Sequence, residues 1–303
     1  MANSSSPTPP PPQQQQQQQQ QSLISRITTP LIFFTYPWRF MFLSLSFLPS
    51  TILSLLTTFN LTPLFSWNQF QPLWFGRFWA HAGPLVRQEA EENVVPLLAG
   101  HISHGQLLPA PAHPALSGTV LEIGPGSGMW VSLFSPTTTA GQGQVRRIYG
   151  VEPNAAVHGL LQSQIDAAGL RDVYEIVPVG IQDLARFGRV ERGSVDCIVT
   201  VLCLCSIPDP KANIAELYGY LKPGGRWYVY EHVRCWRSQG WWMRFYQAFL
   251  NYFWPLCIGG CQMCRDTSTW LREAGPWTDI DLASPPKEEW YFTMPHIIGV
   301  LTK

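Results

Sequence analysis

The sequence predicts an α/β protein: a doubly wound, mostly parallel sheet preceded by an N-terminal hydrophobic anchor. Three observations carry this. The first is Val120-Leu121-Glu122-Ile123-Gly124-Pro125-Gly126-Ser127-Gly128, where an apolar run enclosing one acid is followed by glycine at every second position. The second is the alternation of short apolar runs with helical patterns from Val120 to Val233, as βαβ units with right-handed crossovers require. The third is the lack of any charged residue from Phe40 to Gly76, a stretch longer than the roughly 20 apolar residues that cross a bilayer core.

The length of 303 residues suits one catalytic domain with an added segment. The formal net charge is zero, which argues against the broad basic footprint of a nucleic-acid binder. Charged residues make up only 13% and there are 13 tryptophans, a composition suited to an apolar substrate or a membrane. The seven cysteines are Cys197, Cys203, Cys205, Cys235, Cys257, Cys261 and Cys264. Their odd number, with several inside apolar runs, does not fit a secreted disulfide framework. They read as reduced thiols in a chain facing the cytosol.

Residues 1–30 open with Ser and Pro and continue through Gln13 to Gln21. Such a stretch buries no core and is expected to be disordered. The apolar segment behind it begins too far in, and without a small-residue cleavage site, to read as a cleaved signal peptide. Residues 31–66 form the predicted anchor. Phe40 to Phe59 has the length of a span, with Tyr36 and Trp38 before it and Trp67 and Trp74 after it as interfacial aromatics. Pro49 would kink a helix there, so a span and a hairpin returning to the same side both fit. Residues 67–117 form an amphipathic bridge and a loop. Trp79, Leu85, Val86 and Ala90 recur at helical spacing, with a break expected near Gly83-Pro84. His101, His104 and His113 follow without a Cys or carboxylate at ligand spacing, so no metal is assigned to them.

Residues 118–303 form the predicted catalytic domain. Val120 to Ile123 reads as a buried strand, the glycines as a tight turn and Met129 to Phe134 as the next helix. Glycine lets the chain turn sharply and lets a ligand approach the main chain. The spacing is G-x-G-x-G rather than the dinucleotide G-x-G-x-x-G. With Glu122 before it, that spacing points to S-adenosylmethionine rather than NAD. After a polar insertion, Ser135 to Gln144, a second strand ends at Glu152, where a carboxylate can accept both ribose hydroxyls. A helix over Ala155 to Ala168 and a third strand over Val173 to Val179 lead to Gly180-Ile181-Gln182-Asp183, where Gln182 or Asp183 would reach an adenine amine. Val195 to Leu202 is the apolar fourth strand. Lys211 to Leu221 is a helix stopped by Lys222-Pro223-Gly224-Gly225, and Arg226 to Val233 is the fifth strand. Ligands of such sheets sit at the carboxyl ends of the strands. Gly124, Glu152, Gln182, Cys203 to Ser206 and Glu231-His232 therefore gather at one edge.

Glu122-x-Gly124-x-Gly126-x-Gly128, the acid at Glu152 and Leu221-Lys222-Pro223-Gly224-Gly225 make residues 115 to 303 resemble a class I S-adenosylmethionine-dependent methyltransferase. Such enzymes have a seven-stranded Rossmann-like sheet. A closer resemblance is to the membrane-anchored, methyltransferase-like thiol S-methyltransferases of endoplasmic reticulum and lipid droplets. It is carried by Val201-Leu202-Cys203-Leu204-Cys205-Ser206, Glu231-His232-Val233, Gly260-Cys261 with Arg265-Asp266-Thr267, and Pro295-His296-Ile297-Ile298-Gly299. That family also carries an N-terminal hydrophobic anchor, as at Leu31 to Phe65. The poly-Gln tail, the Ser135 to Gln144 insertion and Cys264 depart from its pattern.

The resemblance implies S-adenosylmethionine as cofactor, held by Glu122, Gly124, Gly126 and Gly128 at the methionine end and Glu152 at the ribose. Ile181 and Gln182 would frame the adenine, and Val201 would face the sulfonium. It implies a small hydrophobic acceptor, a thiol first, with the catalytic domain on the cytosolic side of a membrane. A thiol of pKa about 8.5 needs no strong base. For an oxygen or nitrogen nucleophile His232, beside Glu231, is the candidate base. A non-catalytic membrane or lipid-droplet adaptor is the alternative class. Cys257, Cys261 and Cys264 form C-x3-C-x2-C, but a structural zinc takes four ligands and only Cys235 or His296 would add one. No metal is assigned. Trp236 to Trp254 is aromatic throughout and reads as a helix that lines an apolar pocket or rests on a membrane.

Overall fold

A computed structural model describes residues 12–135, 138 and 144–303, with side chains from Thr28 onward. The Ser/Pro part of the predicted tail and most of the polar insertion lie outside the described residues. From Pro12 the expected disorder gives way to helix: α1 spans Pro12–Leu45. Glutamine ranks with leucine and lysine among the better helix formers, and the run is continuous with the apolar helix behind it.

Helix α1 stops at Ser46–Phe47, and α2 restarts over Leu48–Thr57 with Pro49 in its first turn. A proline there gives up no helical hydrogen bond. The expected kink is thus a helix end followed by a new start. A 3-10 turn, Thr62–Phe65, leads into α3, Trp67–Leu98, which returns beside the first two helices. Trp74 Nε1 donates to the Ser44 carbonyl at 2.8 Å and Arg77 Nη2 to Ser54 Oγ at 2.5 Å. Phe40 meets Phe78 edge-on, four residues before the Ser44–Trp74 contact, so α1 and α3 form an antiparallel helical hairpin. The break expected at Gly83-Pro84 is absent, and α3 is continuous through Pro72, Pro84 and Pro96. Its buried face of Phe78, Ala82, Ala90, Val94 and Leu97 holds it, because tertiary packing supplies most helix stability.

A small hairpin, β1 Ile102–Ser103 and β2 Gln106–Leu107, precedes the sheet. Then come β3 Gly118–Ile123, β4 Val145–Val151, α4 His158–Ala167, β5 Tyr174–Val177, α5 Leu184–Phe187 and β6 Val195–Val201. They are followed by α6 Pro210–Tyr218, β7 Leu221–His232, α7 Trp241–Cys257, α8 Thr267–Arg272, β8 Asp279–Ala283 and β9 His296–Thr302. The large sheet has seven strands in the order β5-β4-β3-β6-β7-β9-β8, with β9 antiparallel to β7 and β8 and the other pairings parallel. This is the predicted doubly wound, mostly parallel architecture.

Two local readings are corrected. The helix expected over Met129 to Phe134 is only a 3-10 turn, Val131–Phe134. Ser135 is extended (φ −64°, ψ 138°), as the residue before a proline prefers. Lys222 to Gly225 does not cap a helix but belongs to β7. The register jumps there from Val195↔Leu221 to Cys197↔Arg226, a bulge with Gly224 at φ +74°.

The two sheet faces follow the period of two. Val120, Ile148, Val199, Tyr228 and Ile298 pack on one face with Val94 and Leu97 of α3 and Leu161 and Ile165 of α4. Leu121, Ile198, Trp227, Val229 and Ile297 pack on the other with Ile214 and Leu217 of α6 and Leu271 of α8. Each large apolar side chain buried here contributes about 1.5–3 kcal/mol. A third cluster joins Met41 of α1, Phe78 and Ala82 of α3, and Leu250 and Trp254 of α7. Buried Gln247 pins α7 to the sheet. Its Nε2 donates to the Val233 and Thr293 carbonyls, and its Oε1 accepts from Cys235 N at 2.7 Å. The apolar segment before residue 67 is thus packed onto α3 and α7.

Candidate functional site

A cavity of about 1030 Å³ opens at the carboxyl ends of β3, β4, β6 and β7. One half is built from backbone turns. Gly124 (φ +65°) ends β3, and a Cβ there would lie 2.7 Å from Cys203 Cβ, so only glycine fits. At Gly126 (φ +57°) a Cβ would meet nothing within 4 Å, which leaves an open cradle over the turn. Beyond β4, Glu152 is nearly buried. Its Oε2 accepts from Gly126 N at 2.9 Å and its Oε1 from Asn154 N at 2.8 Å. Burial pushes its carboxyl up, against the pull of those two amides. Gly180, Ile181 and Gln182 close the far wall and Val201 the base; all line the cavity with Gly124, Gly126 and Glu152. An open glycine cradle, a buried acceptor carboxylate and an apolar slot fit the methionyl, ribose and adenine parts of S-adenosylmethionine.

Two expected cofactor residues lie elsewhere. Glu122 points away from the cavity and accepts a hydrogen bond from Tyr174 Oη at 2.6 Å. Strand alternation turns it to the α3/α4 face. Burial pushes its carboxyl up to about 7, against the Tyr174 hydrogen bond. A Cβ at Gly150 would lie 2.2 Å from Tyr174 Oη, so a mid-strand glycine makes room for this pair. Gly128 (φ +87°) also stands off the cavity. A Cβ there would sit 2.8 Å from Gln164 Cβ, so this glycine seats the turn on α4. Asp183 is likewise not a lining residue.

The other half of the cavity is built from side chains. Leu202 ends β6 in the left-handed region (φ +53°), a strained conformation of the kind that clusters at functional sites. The chain then presents Cys203 and Cys205 to the cavity. Glu231, expected in a catalytic role, is fully buried behind this loop. Its carboxylate accepts from Cys203 N at 3.1 Å and Leu204 N at 3.2 Å. Burial pushes it up to about 7, against those bonds. It holds the loop and does not line the cavity. His232 does line it: Nε2 lies 3.2 Å from Cys261 Sγ, and the buried Nδ1 has no partner among the described residues.

The Cys205 thiol is held well above its usual range by its hydrogen bond with Cys261 and by burial. For His232 burial favours the neutral ring, but its interactions with the Cys205 sulfur and the nearby Glu231 carboxylate outweigh it and the net direction is upward.

Sequence reasoning missed much of this half. The C-x3-C-x2-C run splits: Cys261 faces His232, whereas Cys264 Sγ approaches Gln247 Oε1 at 3.7 Å. His296 lies flat against Tyr230, rings parallel at 5.0 Å, with its Nδ1 2.6 Å from Glu288 Oε1. The wall is aromatic. Phe33, Tyr36 and Phe40 come from α1, Phe75 and Trp79 from α3 and Trp254 from α7. The i, i+3, i+7 spacing of Phe33, Tyr36 and Phe40 marked one helix face in the sequence, but nothing local said what that face covers. The loop histidines also have a carboxylate after all: Asp281 of β8 accepts from His104 N at 2.6 Å and contacts His113 Nε2 at 2.8 Å.

With the turn, carboxylate and slot in place, comparison with known families is decisive. The sequence matches the methyltransferase-domain family over residues 101–269, more than half of the chain. The chain belongs to that family. It is similar to the human thiol S-methyltransferase TMT1A, with 27% identity over 202 residues, 63% of this chain and 73% of that protein. It is similar to rat thiol S-methyltransferase TMT1B, with 28% identity over 187 residues, 61% and 70% respectively. Among solved structures it resembles the S-adenosylmethionine-dependent methyltransferase SibL in fold, with a TM-score of 0.51 at 19% identity, covering 75% of this chain and 58% of that one. The protein is an S-adenosylmethionine-dependent methyltransferase. Its cofactor supplies a methyl group on a positively charged sulfur. The methyltransferase itself must hold an acceptor close, in line and dry, an arrangement worth roughly 7–11 kcal/mol when well made.

Proposed function

We propose that this methyltransferase acts on small hydrophobic thiols at the cytosolic face of a membrane. The observation that carries the reading is that one cavity spans both parts. It joins Gly124, Gly126 and Glu152 to a floor of Cys205, His232 and Cys261 under an aromatic wall. In this reading Gly124 and Gly126 hold the methionyl end, Glu152 the ribose, Ile181 and Gln182 the adenine, and Val201 the region of the sulfonium. The acceptor chain lies against Phe40, Trp79 and Trp254. Glu231 is committed to loop amides and serves no proton transfer, which a thiol tolerates because part of it ionises near neutral pH. The names of the similar human and rat proteins support a thiol.

An alcohol or phenol is the second reading, favoured by the Glu288–His296 pair. If Nδ1 donates to Glu288, His296 keeps Nε2 as a free base. Tritiated-methyl transfer to alkyl thiols, phenols and amines of matched shape separates the two. The first reading expects thiols to be methylated and His296→Gln to cost little. Faster phenol turnover, lost about 10²–10⁴-fold in His296→Gln, would reject it.

The membrane role rests on an apolar surface. The stretch Thr28–Thr57 is long and apolar enough to cross a bilayer, and Phe42, Leu53, Phe59, Phe65 and Trp67 are exposed on the hairpin. Helix α7 is apolar on both sides. Met243, Leu250 and Trp254 are buried, while Trp241, Trp242, Phe245, Phe249 and Leu256 face outward. We read the hairpin of residues 31–66 with α3, together with the outer face of α7, as one membrane-seated surface around the cavity mouth. Endoplasmic reticulum and lipid droplet are the compartments that the family resemblance implies. Flotation after carbonate washing checks this. Trp242→Glu with Phe245→Glu should weaken membrane retention without changing cofactor affinity, and full retention would count against α7.

A further inference from the structure

Cys205, His232 and Cys261 come from three separate segments: the loop after β6, the end of β7 and the turn after α7. Their ligand atoms lie within 4.8 Å of one another, and all three residues are buried. The backbone fixes the arrangement. Gln262 N donates to the Cys205 carbonyl at 2.9 Å, Cys261 N to the Ile258 carbonyl at 2.8 Å, and Arg265 Nη1 clamps the Cys205 loop through the Ile207 carbonyl at 2.6 Å. All three side chains also border the cavity.

We propose that this cluster is a zinc site, with Cys205 Sγ, His232 Nε2 and Cys261 Sγ as ligands and the fourth position open to the acceptor sulfur. This deepens the thiol reading and rests on it. Zinc takes sulfur at about 2.3 Å and imidazole nitrogen at about 2.0–2.1 Å in a tetrahedron, so ligand atoms of one site stand ~3.3–3.8 Å apart. The cluster needs little movement to meet that spacing. Three protein ligands and one open position make a catalytic rather than a structural zinc. Two thiolates and a neutral imidazole are a soft set that selects zinc over magnesium or calcium. The two protein thiolates balance the dication in a buried place. An incoming thiol gives its proton to water at the cavity mouth as its sulfur takes the fourth position, since a coordinating thiol is deprotonated outright. His232 is then a ligand, not a base.

The test uses the untagged full-length chain, purified without chelator. Elemental analysis should find one zinc per chain. Cobalt exchange should give thiolate-to-metal charge-transfer absorption that shifts when an alkyl thiol is added. Cys205→Ser and Cys261→Ser should each lose metal by more than the ~10–100-fold typical of losing an outer partner, while still binding S-adenosylmethionine by calorimetry. Cys264→Ser should keep it. Wild-type protein that holds no zinc and takes up no cobalt overturns the proposal, whether Cys205 and Cys261 titrate as free thiols or are joined in a disulfide. Wild-type metal content in both serine variants also overturns it. If stripped protein methylates an alkyl thiol as fast as loaded protein, the zinc proposal falls and the thiol reading stands. If loaded protein binds metal but methylates no thiol, the thiol reading falls and takes the fourth-position assignment with it.

Discussion

In the proposed reading, the cofactor half of the cavity is made largely by backbone, and the acceptor half by side chains from distant segments. In the first, Gly124 and Gly126 shape one turn and Glu152 closes it, all within 29 residues of consecutive chain. In the second, the lining comes from α1, α3, the β6 loop, the end of β7, the turn after α7 and the start of β9. The difference teaches where change is tolerated. A backbone cradle accepts no added atom at Gly124, whereas an apolar wall tolerates exchange of shape until its supporting helix is lost.

The sharpest way to break the comparison is to remove residues 1–66. Phe33, Tyr36 and Phe40 leave the wall, and buried Met41 leaves the third cluster. Buried Met41 is worth about 1.5–3 kcal/mol and the half-buried aromatics add to it, so thermal stability and turnover of apolar acceptors should both fall. Affinity for S-adenosylmethionine should persist, because the turn is held by the strand pairing of β3 and by the Glu152 carboxylate on Gly126 N. Full turnover of an apolar thiol by the truncated chain would show that α1 is no part of the acceptor half.

Gly124→Ala attacks the other half. A side chain at φ +65° costs about 1–3 kcal/mol, and the contact with Cys203 Cβ adds to it. Calorimetry should show cofactor affinity reduced at least ~100-fold, about 2.7 kcal/mol. Gly126→Ala should unfold the chain less, since its Cβ meets no protein atom, yet weaken binding by entering the cradle. Equal affinity in both variants and wild type would dismantle the cradle assignment.

Glu122 supplies a pH-dependent test of the support beneath that cradle. Its carboxyl stands at about 7 in the folded chain against an ordinary 4.5. Between those values the folded state holds a proton that the unfolded state has lost. The stability this brings is full below about 4.5 and is lost as pH rises through 7. Glu122→Gln keeps an oxygen for Tyr174 Oη and never ionises. Its melting temperature should exceed that of wild type at pH 8, by on the order of 3 kcal/mol in stability, and the gap should close on acidification toward pH 4.5. A gap independent of pH would mean that Glu122 is ionised in the fold. A smaller effect is expected at Glu152. Glu152→Ala should weaken cofactor binding by about 1.5–3 kcal/mol, as for hydrogen bonds to a charged group, with unchanged affinity in a folded variant counting against a ribose contact.

The sequence by itself determined the sheet, the glycine turn, the acid after the second strand and the presence of a long apolar segment ahead of the domain. Those features are periodic or local: strand alternation, glycine spacing and the lack of charge are written in consecutive residues. The roles of Glu122, Gly128 and Glu231 were not legible that way. A motif places a residue near a site, but the alternation of a strand decides which way its side chain points, and here Glu122 turns to Tyr174 and Glu231 to the Cys203 and Leu204 amides. Nor could the sequence say that Phe33, Tyr36 and Phe40 wall the cavity, or that Cys205, His232 and Cys261 meet. Contacts between segments far apart in sequence, such as Trp38 with Tyr246, carry no period and no spacing. Only the packing of α1 and α7 over the sheet edge decided them, because burial of their apolar faces brings those side chains together.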